Sequence, residues 1–204
     1  MKYEWKKEEK RLYGVKQKPE IINIPSQKFI TINGEGNPNE IDFSDRISAL
    51  FNLAYGIKML FKKMYADINK ISFTDFTVFP LEGIWRKNSG EKFDKSKLKY
   101  TIMIKQPDFI TQDIFENALE NVKKKKLNVL YNEINFEEIE DGKSVQILHI
   151  GSYDDEWKSF EMMDKLANEL NLIRTGDFHR EIYLSNKNRT SEDKQKTILR
   201  YSVR

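Results

Sequence analysis

Gln27-Lys28-Phe29-Ile30-Thr31-Ile32-Asn33-Gly34, and the longer run from Phe43 to Tyr65 that comes after it, set the architecture. The first piece alternates and reads as a strand. The second carries Ile47, Leu50, Ala54, Ile57, Phe61 and Met64 three or four residues apart, the spacing of one helix face. Asp42 or Ser44 is placed to cap its start. The turn-rich Gly34-Glu35-Gly36-Asn37-Pro38-Asn39 links the two. Downstream, Phe76 to Phe79 and Leu81 to Trp85 look extended, with Pro80 between them, and Tyr100 to Ile104 is another strand.

The same order then recurs. Ser144 to Gly151 reads as a strand, and Asp154 or Asp155 opens a helix running to about Leu170. Its inward residues are read as Trp157, Phe160, Met163, Leu166, Ala167 and Leu170. Phe178 to Leu184 and Thr197 to Val203 are two further strands. Between the units lie a helix over Thr111 to Lys124 and a strand over Val129 to Phe136. That strand is read as joined to the next one through Asp141-Gly142. Pro19 and Pro25 bracket a short extended piece, Ile21 to Ile24. The expectation is α+β: duplicated strand-helix-strand-strand units, about 27 to 105 and 143 to 204, forming an antiparallel sheet with long helices. A duplicated unit places a ligand groove where the halves meet. Residues 1 to 20 read as an extended, charged lead-in, and 21 to 204 as the domain.

Composition narrows the chemistry. The chain has 204 residues, 39% hydrophobic and 33% charged, with 13 Phe, 9 Tyr and 3 Trp. That is enough aromatic side chain for a core and for pocket walls. The net charge of +3 does not argue for nucleic acid. Lys123 to Lys126 end a helix, where cations complement the helix dipole. There is no cysteine, so disulfides, thiolate metal sites and cysteine nucleophiles are excluded. A reducing cytosol fits, and a cytoplasmic location is the expectation. The N-terminus has no apolar stretch for a secretory signal, and no window approaches the ~20 apolar residues of a membrane span. His149 and His179 form no metal-ligand spacing, Gly34-Glu35-Gly36 lacks the rest of a dinucleotide fingerprint, and no helix-turn-helix is visible. No metal, cofactor or directly bound nucleic acid is expected.

Three runs remain: Pro80-Leu81-Glu82-Gly83-Ile84-Trp85, Leu148 to Glu156, and His179-Arg180-Glu181-Ile182-Tyr183-Leu184-Ser185. There the sequence resembles the GyrI-like family of small-molecule-binding domains, also called bacterial effector-binding domains. Leu50 to Lys58, Gln106-Pro107-Asp108-Phe109 and Thr197-Ile198-Leu199-Arg200 extend the likeness, in family order, over about residues 20 to 204. The resemblance implies two strand-helix-strand-strand (SHS2) units about a pseudo-twofold, with the ligand groove between them. It implies that Glu181 faces the ligand, with Trp85 and Tyr55 on the walls. Tyr183 shares a strand face with Glu181. His149, Tyr153 and Trp157 are further candidates for the pocket border.

Each of these has a plainer reading. Glu181 could be a solvent-face acid, Trp85 and Trp157 core, Tyr55 a helix-edge residue and His149 a hydrogen-bonded structural histidine. A carboxylate among rings loses hydration and attracts cations strongly, and the rings add cation–π attraction. The expected ligand is therefore an aromatic or cationic small molecule of xenobiotic or antibiotic type, bound by a monomer or homodimer. Some stand-alone relatives hydrolyse cyclopropane-bearing genotoxic compounds. For such a reaction Glu181 would be the catalytic residue, acting on water or substrate. A gyrase-type protein-interaction role is a third reading. About twenty residues before the domain are too few for a fused DNA-binding module.

Overall fold

The computed structural model describes residues 1–66, 72–86, 95–186 and 188–204. The elements in chain order are β1 (Lys2–Tyr3), α1 (Trp5–Glu8), α2 (Lys10–Tyr13), β2 (Glu20–Ile24), β3 (Gln27–Glu35), α3 (Ile41–Tyr65), β4 (Asp75–Phe76) and β5 (Leu81–Arg86). They continue with β6 (Lys99–Gln106), α4 (Gln112–Lys125), β7 (Asn135–Ile139), β8 (Gly142–Ile150), α5 (Glu156–Glu169), β9 (Phe178–Tyr183) and β10 (Lys196–Ser202). Among the described residues no helix is long and apolar enough to cross a membrane.

The duplication is written in the strand order β2-β8-β10-β9-β5-β6-β3-β7. In one unit β3 pairs with β6, which pairs with β5; in the other β8 pairs with β10, which pairs with β9. The units join through the antiparallel pair β5–β9, in which Gly83 faces Glu181 and Trp85 faces His179. The outer strands are exchanged. β2 precedes the first unit but pairs with β8 of the second, and β7 precedes the second but pairs with β3 of the first. The sheet is a curled, antiparallel half-barrel: Arg180 on β9 lies 5.1 Å over the ring of Phe29, which sits three strands away on β3.

The two faces of the sheet bury different chemistry. On the upper face Ile30, Ile32, Ile102 and Ile104 meet Leu50, Leu53, Ala54 and Ile57 of α3 in one fully buried cluster. Val145, Ile147, Leu199 and Tyr201 meet Met163 and Ala167 of α5 in a second. α3 thus covers β3 and β6, and α5 covers β8. The seam β5–β9 runs between the two covered halves.

The lower face carries a row of buried polar side chains. Gln146 donates to Glu20 (2.9 Å) and accepts from Arg200 (2.9 Å), and Arg200 faces Asp141 at 3.5 Å. Arg180 pairs with Asp141 (2.9 Å) and Glu82 (3.4 Å). The Tyr13 hydroxyl donates to Glu82 at 3.4 Å, and Lys105 pairs with Glu9.

Several local readings differ from the structure. Residues 1 to 20 contain two helical turns, α1 and α2, because Trp5 and Tyr13 have a core to enter beside Phe79. Val129–Asn132 is a 3₁₀ turn: the Asn128 side chain accepts from Leu130 N–H and closes it, and the strand begins only at Asn135. β7 and β8 are consecutive but do not pair, since each has gone to the opposite half. α3 starts at Ile41, with Asp42 on Arg46 and Ser44 on a carbonyl rather than as caps.

Candidate functional site

Period-2 alternation sends His179, Glu181 and Tyr183 of β9 to the upper face and Arg180 and Ile182 to the lower. Gly83 and Trp85 of β5 share the upper face through the register. The result is a hydrogen-bonded chain. The Trp85 indole N–H donates to the Tyr183 hydroxyl oxygen (2.9 Å), and the Tyr183 hydroxyl donates to Glu181 Oε2 (2.7 Å). His179 Nε2 lies 2.8 Å from Glu181 Oε1; a carboxylate oxygen accepts, so Nε2 carries the proton.

Gly83 makes room for this chain. A Cβ there would lie 2.8 Å from Trp85 Nε1 and 3.2 Å from the Tyr183 hydroxyl. Phe43 and Tyr100 pack on Trp85 with ring centroids 5.7 and 5.4 Å away. Phe160 of α5 sits edge-on to His179 at 4.9 Å, and Tyr153 edge-on to Tyr183 at 6.0 Å.

The start of α5 brings a second acid. Glu156 is 7% exposed and Glu181 8%. Donor atoms of Glu156, His179 and Glu181 all lie within 4.8 Å of one another, the one such group of His and carboxylates among the described residues. Glu156 Oε1 is buried with no hydrogen-bond partner. Burial, and then the charge of Glu181, push Glu156 well above the usual carboxylate range. Burial and the two acids likewise push Tyr153 up to about 12, and burial with Glu181 pushes Tyr183 far up, so both phenols stay protonated donors. Two like charges within 4.8 Å of each other repel by at least ~3 kcal/mol at an effective dielectric of ~20. A positive partner or a proton must therefore accompany the pair.

Of the sequence candidates, Trp85, Glu181, Tyr183 and Tyr153 come together. His149 lies on the same face two strands from Tyr183, through the Thr197 register. Both of its ring nitrogens are engaged within its own unit, Nδ1 with Ser159 Oγ (2.9 Å) and Nε2 with the Ser152 carbonyl (3.0 Å). Tyr55 and Trp157 are each 54% exposed. Among the described residues no hydrogen bond or ring contact joins either to Glu181.

The inward placement of Trp157 is corrected. The buried face of α5 is Glu156, Ser159, Met163 and Ala167, and Trp157 is one helical step off it. Sequence reasoning missed Glu156 and His179. Glu156 looked like part of an acidic helix start, although it sits seven residues before Met163 and shares its face. His179 stands in the same alternation as Glu181 and Tyr183.

A model of the GyrI-like small molecule binding domain matches residues 17–202. The chain belongs to this family. Among solved structures the GyrI-like domain is similar to a hydrolase from Listeria innocua (TM-score 0.89, 33% identity, all of both chains). A second hydrolase structure from Listeria innocua has TM-score 0.86 and 33% identity, over 99% of this chain and 100% of that one. An uncharacterized conserved protein from the same organism has TM-score 0.88 and 33% identity with the same coverage. No curated protein matches the chain.

The GyrI-like domain also has a cavity of about 780 Å³ at the far end of β8, β9 and β10. It is lined by Lys6, Lys10, Lys194 and Lys196 with Trp5 and Tyr13, and none of the candidate residues lines it. Among the described residues no carboxylate or histidine lines it. The convergent acids and rings are at the seam.

Proposed function

We propose that this GyrI-like domain binds an aromatic, positively charged small molecule at the β5–β9 seam, against Glu181 and Glu156. The carrying observation is two buried carboxylates among Trp85, Tyr183 and Tyr153 with, among the described residues, no cationic side chain paired to Glu156. A ligand cation would supply the missing charge, and each ring face would add ~0.5–2 kcal/mol of cation–π attraction. The test is titration with a planar cationic dye, followed by tryptophan emission and calorimetry. Glu181→Gln should weaken the dye at least tenfold and leave a neutral ring system of the same shape unaffected. Equal affinity of both proteins for the cation would sink the assignment.

A second reading, hydrolysis, is favoured by the carboxylate pair and supported by the two hydrolases among the similar structures. On a strained cyclopropane conjugated to a carbonyl, Glu181 takes a proton from water as the water oxygen bonds to a ring carbon. The ring carbon–carbon bond breaks, its electron pair passes to the conjugated carbonyl, and that oxygen takes up a proton. The seam holds the flat substrate in reach, which is the proximity contribution. Mass spectrometry of such an alkylator incubated with the protein should show the water adduct. Turnover surviving both Glu156→Gln and Glu181→Gln would remove the carboxylates from the reaction.

A further inference from the structure

We propose that Glu156, His179 and Glu181 form a binding site for one divalent transition-metal ion, open at the remaining positions to water or another small ligand. The donors come from two elements, the first turn of α5 and alternate positions of β9, and their atoms lie within 4.8 Å of one another. Glu156 is more than nine-tenths buried and its Oε1 has no partner.

Three features favour a metal over a proton shared between the acids. First, no hydrogen bond links Glu156 to Glu181, whereas Glu181 Oε1 does meet His179 Nε2 at 2.8 Å. Two ligands on one ion with bonds of ~2.1 Å stand up to ~4.2 Å apart, so a small side-chain adjustment brings all three donors into range. Second, Glu181 Oε2 is held by the Tyr183 hydroxyl, itself fixed by the Trp85 N–H, which leaves Oε1 facing the site. Outer hydrogen bonds of this kind orient a ligating carboxylate. Third, Phe160 packs edge-on to the His179 ring and limits its rotation.

Two carboxylates and one imidazole suit Zn²⁺, Mn²⁺ or Co²⁺, with Zn²⁺ expected tighter than Mn²⁺. On binding, the metal takes the Nε2 position of His179, and the ring stays a neutral imidazole with its proton on Nδ1. The ion and a cationic organic ligand would compete for the same two carboxylates. The inference does not depend on that ligand reading, because the metal is assayed alone.

The experiment uses the full chain, stripped with a chelator and dialysed, titrated with Zn²⁺ and Mn²⁺ by calorimetry, and with Co²⁺ by visible absorption. The expected result is one ion per chain, a Co²⁺ spectrum unlike that of the aqueous ion, and at least tenfold weaker Zn²⁺ binding in Glu156→Gln and in His179→Gln. Thermal unfolding of each variant checks that it is folded, and Glu156→Asp, which keeps the ligand type, should retain more affinity than Glu156→Gln. Absence of Zn²⁺ binding to the wild type, or unchanged binding in folded Glu156→Gln and His179→Gln proteins, overturns the site. Dye binding without Zn²⁺ binding would refute the metal and leave the ligand reading standing.

Discussion

Gly83→Ala tests the seam most directly, because one methyl group probes the whole hydrogen-bonded chain. The added Cβ would stand 2.8 Å from Trp85 Nε1 and 3.2 Å from the Tyr183 hydroxyl, two atoms that are themselves 2.9 Å apart. Trp85 cannot swing away, since Phe43 and Tyr100 pack on it. Either the hydrogen bond breaks, at about 1 kcal/mol, or the neighbours strain, at about 1–3 kcal/mol. Against this, alanine restricts the unfolded chain more than glycine and returns about 0.5–1 kcal/mol. The difference is a net loss of up to ~2 kcal/mol, largest if the neighbours cannot give. For a domain of this size that lowers Tm by up to roughly 8 °C. Calorimetry gives the Tm. Trp85 emission, read with Trp5 and Trp157 replaced by Phe, should shift as its N–H loses the Tyr183 partner. A variant with unchanged Tm and unchanged Trp85 emission would show that glycine is not there to accommodate the chain.

Two further outcomes follow from the other ion pairs. Arg180→Met leaves Glu82 and Asp141 facing each other beneath the sheet without their shared cation, and should cost ~3–5 kcal/mol in urea unfolding; adding Glu82→Gln to it should recover part of that loss. Burial works against the charge of Asp75, but Lys58 and the Phe76 N–H outweigh it and hold its carboxyl below the ordinary 3.8. Its contribution is therefore present above pH 3.8 and fades as pH falls through the lower folded-state value. Asp75→Asn should cost ~1–2 kcal/mol at pH 7, and thermal unfolding curves of variant and wild type should converge in acid.

Much of the fold is legible because it rests on periodicity. Gln27–Glu35 forms the strand that its alternation indicates, although it is buried on both faces over Phe29–Ile32, and the three-four spacing in Ile41–Tyr65 buries Leu50, Ala54, Ile57 and Phe61 but leaves Met64 exposed. The repeated order of elements likewise matches the two units about the seam. Signals that depend on partners mislead. Glu82 lies in a stretch legible as extended, but nothing local shows that its carboxylate is buried against Arg180. The glycine there relieves crowding from Trp85 and does not make a turn. Helical spacing groups Trp157 with Phe160 and Met163, whereas the buried face of α5 is Glu156, Ser159, Met163 and Ala167. No local pattern could pair Glu156 with Glu181, because the contact forms only when α5 packs over its own half of the sheet.

The strand exchange explains why so much charge is buried at the join. β2 and β7 each leave their own unit for the opposite half, which clamps the outer edges. The centre is held by one antiparallel pair, β5–β9, and a one-residue slip there would turn every side chain over. On the lower face Arg180 reaches diagonally to Glu82 on the neighbouring strand and on to Asp141 at the start of β8. A slip would strand those charges against apolar neighbours, a far larger penalty than losing apolar contacts. The same register sets Gly83 opposite Glu181 and Trp85 opposite His179. The ionic row beneath the sheet is thus what fixes the geometry above it. In a Glu82→Met, Arg180→Met, Asp141→Leu, Arg200→Met quadruple variant, which leaves none of these charges unpaired, overall stability should be retained while the Trp85–Tyr183–Glu181 chain loses its alignment. Unfolding in urea reads the first and Trp85 emission the second, and a quadruple variant with wild-type emission would separate the two faces and refute this coupling.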